Sequence, residues 1–360
     1  MVQANRTTKS GGRMDGGDAT DGDGGTDATA TAPAATDAEA ADGGGVDGRQ
    51  VPRWMVVAVA GVALLIAALL SDFVAESLVI GATENAPFVL AALGFALLYR
   101  LTGLLNVAYA ETITLGGYFG VWMNTTLGWG FLAVVLPAGI LAGGLSVATY
   151  LLIFRVAKNR RVGDLEMIAM SFGLSLFLRH ALQFVFGYPV RFFDIAPPRT
   201  ISVLGVGVPS YRLLALASVA VLSILIYQFI QRTSYGLQIR ALASNEGLAQ
   251  ASGIRPMTVT VLIWFVAGLS GGLAGAFYGV GASVSPLLGS RQLLLVLLVV
   301  LVGGIWDLLG VVWAGVATGI ALTAMTLQFG DSLYSQLVLI LCFLAVLKIR
   351  GRRLTEGTKV

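Results

Sequence analysis

The chain has 360 residues, 56% of them hydrophobic and only 12% charged, with a mean hydropathy of +0.81 and a net charge of +3. That balance places it among integral membrane proteins and excludes an ordinary water-soluble domain. A single cysteine, Cys342, and a single histidine, His180, exclude an intrachain disulfide framework and a cysteine- or histidine-built metal site.

Residues 1–50 hold nine carboxylates against four basic groups in a Gly-, Asp-, Ala- and Thr-rich run. No apolar periodicity offsets the entropy of ordering such a segment, so it is expected to be a disordered, acidic cytoplasmic tail. It is not a signal peptide, because its basic start is not followed by an apolar core and a small-residue cleavage site. A membrane domain is expected over 51–350, followed by a basic cytoplasmic tail over 351–360.

Within 51–350, apolar runs long enough to cross a bilayer predict spans near 54–70, 78–99, 103–123, 130–154, 164–187, 211–231, 257–281, 291–306, 311–328 and 333–349. The fold class is therefore all-α, a polytopic membrane helix bundle of eight to ten transmembrane helices. Thr83-Glu84-Asn85-Ala86-Pro87 interrupts the second of these spans and the stretch from Asn106 to Glu111 interrupts the third, so both are expected to be broken or re-entrant. Four prolines between Tyr188 and Ser210 predict a stiff, irregular loop there.

Charge sets the orientation. With the amino terminus inside, fifteen Lys and Arg fall on the inner side and four, Arg191, Arg199, Arg212 and Arg291, on the outer. Both termini and the 234–256 loop are then cytoplasmic in a multi-pass protein of the cell membrane. The basic excess of residues 51–360 is a topology signal that fits a lipid partner and calls for no nucleic acid.

The 234–256 stretch is polar and helix-like between two apolar segments. Leu237, Ala241, Ser244, Leu248 and Ala251 recur at steps of four and three, which lines one helical face with small and apolar groups. Gly253 suits a helix stop, and Pro256 suits the first turn of the next helix. This pattern fits a docking surface or an amphipathic helix lying on lipid. Further on, Gly268, Gly271, Gly272 and Gly275 fall within two turns, a density that predicts close backbone packing.

Ionisable groups within hydrocarbon each need a reason. Glu84 and Asn85 lie early in the second span, and Asn106, Tyr109, Glu111, Thr112 and Thr114 cluster at the third. On an unbroken helix Asn106 and Glu111 would not share a face; an unwound turn would let them converge as the lining of a solute pathway. A structural hydrogen-bond network, or a loop outside the bilayer, fits the same residues. Arg179 is expected to snorkel to the outer interface, His180 to be a structural donor, and Asp307 to cap the following helix. No phosphate-binding loop and no nucleophile–base set is present, so there are no catalytic residues, no metal site and no cofactor. Any ATP must be used by another chain.

Three stretches, taken together, resemble the permease subunits of ATP-binding-cassette importers for branched-chain amino acids, the LivH type. They are Leu101-Thr-Gly-Leu-Leu-Asn-Val-Ala-Tyr-Ala-Glu-Thr-Ile-Thr-Leu-Gly-Gly-Tyr118, the 233–254 stretch that begins Thr233-Ser-Tyr-Gly-Leu, and Gly303-Gly-Ile-Trp-Asp-Leu-Leu-Gly-Val-Val-Trp-Ala-Gly315. The resemblance spans roughly 78–350. It departs from the family at Tyr109-Ala110, where His-Gly is usual, and at Asp307, where Ser or Thr is usual.

The resemblance implies alternating-access transport of branched-chain or related small amino acids. The implied partners are two ATP-binding subunits, a second permease subunit and an extracytoplasmic solute-binding protein. It implies solute-pathway roles for Asn106, Ala108 and Glu111, joined by Glu84 from the polar-group reading. It also implies an ATPase-coupling role for a helix over 236–252 that includes Gly236, Ala241, Ser244 and Leu248 and ends at Gly253. An ion-coupled carrier or channel for a small polar solute such as urea or a short amide is the alternative, with Glu111 as its proton or cation site.

Overall fold

The structure, a computed structural model, describes residues 72–195, 199–305 and 307–356, with side chains described within 73–344. The acidic tail and the span expected at 54–70 lie outside the described residues.

The described chain opens with two helices, α1 (Asp72–Glu84) and α2 (Ala86–Thr102), which meet at Asn85 with a bend of 49°. Pro87 causes the break locally: it has no N–H to donate, and it is tolerated only in the first turn of α2. The Asn85 amide crosses the break, donating to the Gly81 and Gly319 carbonyls at 3.1 and 3.2 Å. The expected broken span is therefore present. Gly103, in the left-handed conformation at φ 68°, stops α2.

An irregular segment leads into α3 (Tyr109–Leu127), which starts deep inside the bundle. The Tyr109 hydroxyl donates to the Ala91 carbonyl at 2.9 Å, and Ala267, half way along the helix Pro256–Gly281, lies at 3.4 Å. Next come α4 (Phe131–Thr149), a π-helical turn at Tyr150–Phe154, α5 (Arg155–Asn159) and α6 (Asp164–Phe186). Part of the proline-bearing loop is regular structure. Strands β1 (Thr200–Val203) and β2 (Val206–Pro209) pair antiparallel through a two-residue turn in which Leu204 and Gly205 both have positive φ. A tight hairpin turn of the primed type requires that geometry.

Helix α7 (Ser210–Arg232) is followed by α8 (Ser234–Ser244), α9 (Glu246–Ala251), α10 (Pro256–Gly281), α11 (Leu288–Gly303), α12 (Leu308–Phe329) and α13 (Ser332–Glu356). Asp307 precedes α12, but its side chain makes no capping bond, contrary to expectation; only its backbone carbonyl receives Val311 N–H. Helix α13 runs on to Glu356, into the basic stretch 351–360.

Among the described residues, five helical segments are long and apolar enough to cross a membrane, and the bent α1–α2 pair makes a sixth. Leu288–Gly303 and Ser332–Leu344 are shorter apolar helices. The described residues form a polytopic helical bundle with a single hairpin.

Helix α10 is its axis. At 26 residues it is about 39 Å long, enough to cross a hydrocarbon core of about 30 Å. Its glycines let neighbouring backbones touch: a Cβ on Gly275 would sit 1.7 Å from the Ile113 carbonyl oxygen, and a Cβ on Gly272 would sit 3.0 Å from Gly139 Cα. Such contact replaces the hydrophobic driving force that helices lack in lipid.

Candidate functional site

The polar residues singled out in the sequence fall into three places. The first is a network centred on a buried carboxylate. Helix α11 also begins inside the bundle, where Gly289 N–H donates to Thr114 Oγ1 at 3.0 Å and Gly289 packs on the Ala110 carbonyl. The amino-terminal ends of α3 and α11 thus meet in the interior. Glu111, in the first turn of α3 and fully buried, lies at that junction.

Its Oε1 accepts from Arg179 at 2.9 Å, from Ser175 at 2.9 Å and from Ser290 at 3.3 Å. The other oxygen, Oε2, has no hydrogen-bond partner among the described residues. Two helix amino-terminal ends and a guanidinium offset the cost of a carboxylate held out of water. Arg179 therefore does not snorkel outward. It turns into the bundle to pair with Glu111 and also donates to Ser290. His180 is exposed, with its Nδ1 2.7 Å from the Leu176 carbonyl.

The second place is a cavity of about 460 Å³ at the end of the bundle that carries the α7 amino terminus. Glu84 lines it, 3.3 Å from Arg212, and Asn85, Tyr278, Gln292 and Gln336 add polar groups. Arg212 went unread as a site residue because in sequence it is one of four outer charges; only the approach of α7 to α1 brings it to Glu84.

The third place is at the opposite end. Asn106 is buried in the segment before α3 and lines a cavity of about 230 Å³ with Trp264, Lys158 and Glu246. Asn106 and Glu111 share neither a hydrogen bond nor a cavity among the described residues: Asn106 sits in the turn that leads into α3, and Glu111 in the first turn of that helix. Ala108 is buried in the core between the two.

The expected single helix over 236–252 is two helices. Asn245 interrupts it, with extended backbone, and its Oδ1 caps α9 by accepting from Leu248 N–H at 3.0 Å. Thr233 caps α8 in the same way through Gly236 N–H at 3.2 Å. Gly253 ends α9 at φ 84°, with Ile254 N–H bonded to Ala249 and Gly253 N–H to Gln250, the pattern of a Schellman stop.

The inward face of the pair is Gly236, Ile239, Leu242 and Ala249, all buried. Leu237, Ser244 and Leu248 point outward, with Leu248 68% exposed, and Ala241 is half-buried. Gly236 belongs to the foundation and not to the outer surface, since a Cβ there would lie 2.0 Å from the Ile230 carbonyl oxygen.

With this geometry established, comparison with known proteins identifies the group. Residues 77–347 match the family described as "Branched-chain amino acid transport system / permease component". The chain belongs to this permease family.

Similar proteins include the high-affinity branched-chain amino acid transport system permease protein LivH of Escherichia coli K12. It is 24% identical over 268 residues, covering 67% of this chain and 82% of LivH. BraD of Pseudomonas aeruginosa is 23% identical, covering 74% of this chain and 93% of BraD. A probable LivH of Methanocaldococcus jannaschii is 23% identical, covering 72% of this chain and 86% of its own. The permease is a multi-pass membrane component of an ATP-binding-cassette importer, a transport subunit and not an enzyme. Permeases of this family work with ATP-hydrolysing and solute-binding proteins. The family match favours the importer reading over the ion-coupled alternative.

The family departure at Tyr109 has a structural counterpart. Its ring fills the space above Gly94 and Gly271, where a Cβ would approach the Tyr109 hydroxyl to 2.3 and 3.0 Å. The larger side chain is accommodated by glycine on both neighbouring helices.

Proposed function

We propose that this permease carries branched-chain or related small aliphatic amino acids across the cell membrane by alternating access. The observation that carries the reading is the Glu84–Arg212 pair on the wall of the larger cavity. An amino acid presents an ammonium and a carboxylate a few bonds apart, and this wall presents one charge for each. Apolar wall residues such as Phe277, Leu322 and Leu327 suit an aliphatic side chain. The names of the relatives support the same cargo.

In this reading the end bearing α8 and α9 faces the cytoplasm, as do both termini, which agrees with the concentration of Lys and Arg at that end. ATP-binding subunits dock on the outward face of α8 and α9 through Leu237, Ser244 and Leu248. A second permease subunit completes the pathway, and an extracytoplasmic solute-binding protein delivers the amino acid to the cavity that Glu84 lines. Asn106 lies on the release side, whereas Glu111 and Ala108 hold the broken helices in place and do not touch cargo.

The test is uptake of labelled L-leucine by the assembled importer in proteoliposomes, with urea and acetamide as competitors. ATP-dependent uptake that valine and isoleucine compete for, with KM raised about tenfold or more by Glu84→Gln or Arg212→Gln, is the expected result. Uptake that follows an ion gradient without ATP, or that urea suppresses, would overturn the reading.

A further inference from the structure

We propose that the cavity beneath α8 and α9 is a second binding site for a small zwitterionic amino acid, whose occupancy acts on the coupling helices. The choice of an amino acid as ligand rests on the proposed function; the existence of the site does not.

Two polar atoms carry the inference. The Trp264 indole N–H and the Asn106 Oδ1 are buried, belong to residues that line this cavity, and have no hydrogen-bond partner among the described residues. One is a donor and the other an acceptor, and they do not bond to each other. Buried polar groups in folded proteins are nearly always paired, so two complementary orphans on residues that line one cavity favour a state in which these side chains turn to meet a ligand there.

The donor is also held in position. Tyr150 and Phe154 clasp the Trp264 ring at centroid distances of 5.3 and 5.0 Å, and the π-helical turn that spans these two residues interrupts the regular helix at this point. Such turns recur at functional sites.

The rest of the cavity specifies the ligand. Its volume of about 230 Å³ equals roughly eight liquid waters, the scale of one small organic solute. Leu104, Met167 and Leu242 make an apolar wall, and Lys158, Asp164 and Glu246 stand among the lining residues. A carboxylate would take the Trp264 N–H and Lys158, an ammonium would donate to Asn106 and Asp164, and an aliphatic side chain would meet the wall. No residue is shared with the cavity that Glu84 lines.

Occupancy has a mechanical consequence. Lys158 and Glu246 pair at 2.6 Å, tying α5 to the first residue of α9 next to the Asn245 joint. A bound carboxylate competes with Glu246 for Lys158, so binding loosens that tie. Accumulated cytoplasmic amino acid would thereby alter how the docked subunits engage α8 and α9.

The experiment uses the whole importer in nanodiscs without the solute-binding protein, and L-leucine as the probe. Direct binding of labelled leucine is compared for the unaltered complex, Trp264→Phe, Leu104→Phe and Arg212→Gln. Trp264→Phe keeps a ring between Tyr150 and Phe154 but loses the donor; Leu104→Phe keeps the donor and fills the space. Two saturable components below roughly 10 mM are the expected result, one lost in Arg212→Gln and one that persists in Arg212→Gln but is weakened about tenfold by either of the other two variants, with a leucine-dependent change in ATPase rate that Trp264→Phe and Leu104→Phe lose. The absence of saturable binding, or binding that Arg212→Gln removes while Trp264→Phe and Leu104→Phe leave it intact, overturns the site. Loss of leucine uptake with Trp264-dependent binding preserved would count against the proposed function and support this site.

Discussion

Glu111 and Arg179 form an ion pair at 2.9 Å in the interior of the bundle, and the carboxylate is completely buried. The pair joins α3 to α6 at the level where α11 begins. Removing one member strands a charge in a low-dielectric interior, which typically costs about 3–5 kcal/mol; replacing both with apolar groups is far milder. Glu111→Leu and Arg179→Met are each expected to lower the thermal midpoint of the purified permease sharply. The double substitution should recover most of the loss. Equal losses in all three, by fluorescence-monitored unfolding in one detergent, would show that the pair is not the strut described here.

Tyr109→His restores the residue usual in the family but removes a ring that fills the gap between Gly94 and Gly271. It also leaves the Ala91 carbonyl without its 2.9 Å hydroxyl partner. A lost buried hydrogen bond and a partial cavity together predict destabilisation of about 1–3 kcal/mol. Adding Gly94→Ala to Tyr109→His should cost less than adding it to the unaltered permease, since the smaller ring leaves room for a methyl. Unfolding midpoints of the four proteins check this as a double-mutant cycle.

Gly275→Ala is expected to be among the most damaging single-methyl additions. The new Cβ would lie 1.7 Å from a backbone oxygen of α3, so a helix must move. Overpacking of this kind costs roughly 1–3 kcal/mol or more. Gly144→Ala and Gly173→Ala meet nothing within 4 Å and remove backbone freedom from helix interiors. They are expected to be neutral or to stabilise by up to about 1 kcal/mol. Yield of monodisperse protein after detergent extraction separates the two groups.

Leu248→Asp tests the coupling surface most cleanly, because Leu248 is 68% exposed and makes no core contact that a carboxylate would break. The variant should insert and purify normally, lose co-purifying ATP-binding subunit, and transport at least about tenfold more slowly. Ala241→Trp should also abolish transport, but Ala241 packs partly against the core, so some of its effect will be loss of fold. Full uptake by Leu248→Asp would remove α9 from the docking surface.

Much of this architecture was legible from local signals. Runs of apolar residues marked the helices, Pro87 and the polar stretch from Asn106 to Glu111 marked where they break, and Gly253 marked the end of the coupling segment. Lys and Arg concentrate at one end because few cross a bilayer. The joint at Asn245 escaped notice, although Asn is a strong helix cap, because the small-residue periodicity runs straight through it. The 200–209 hairpin escaped because the first position of its turn is Leu204, where Asn, Asp or Gly is the usual signal.

By itself, the sequence determined the class of the protein, the places where its helices stop, and the ends at which its charges gather, because run length, proline, glycine and charge act within a few residues. Only the tertiary structure decided that Arg179 belongs to Glu111, that Arg212 stands beside Glu84, and that Asn106 lines a cavity with Trp264. In a helix bundle built for lipid nearly every face is apolar, so periodicity does not say which helices are neighbours. That choice rests on close glycine contacts and on buried charges finding partners, and both are settled between residues far apart in the chain.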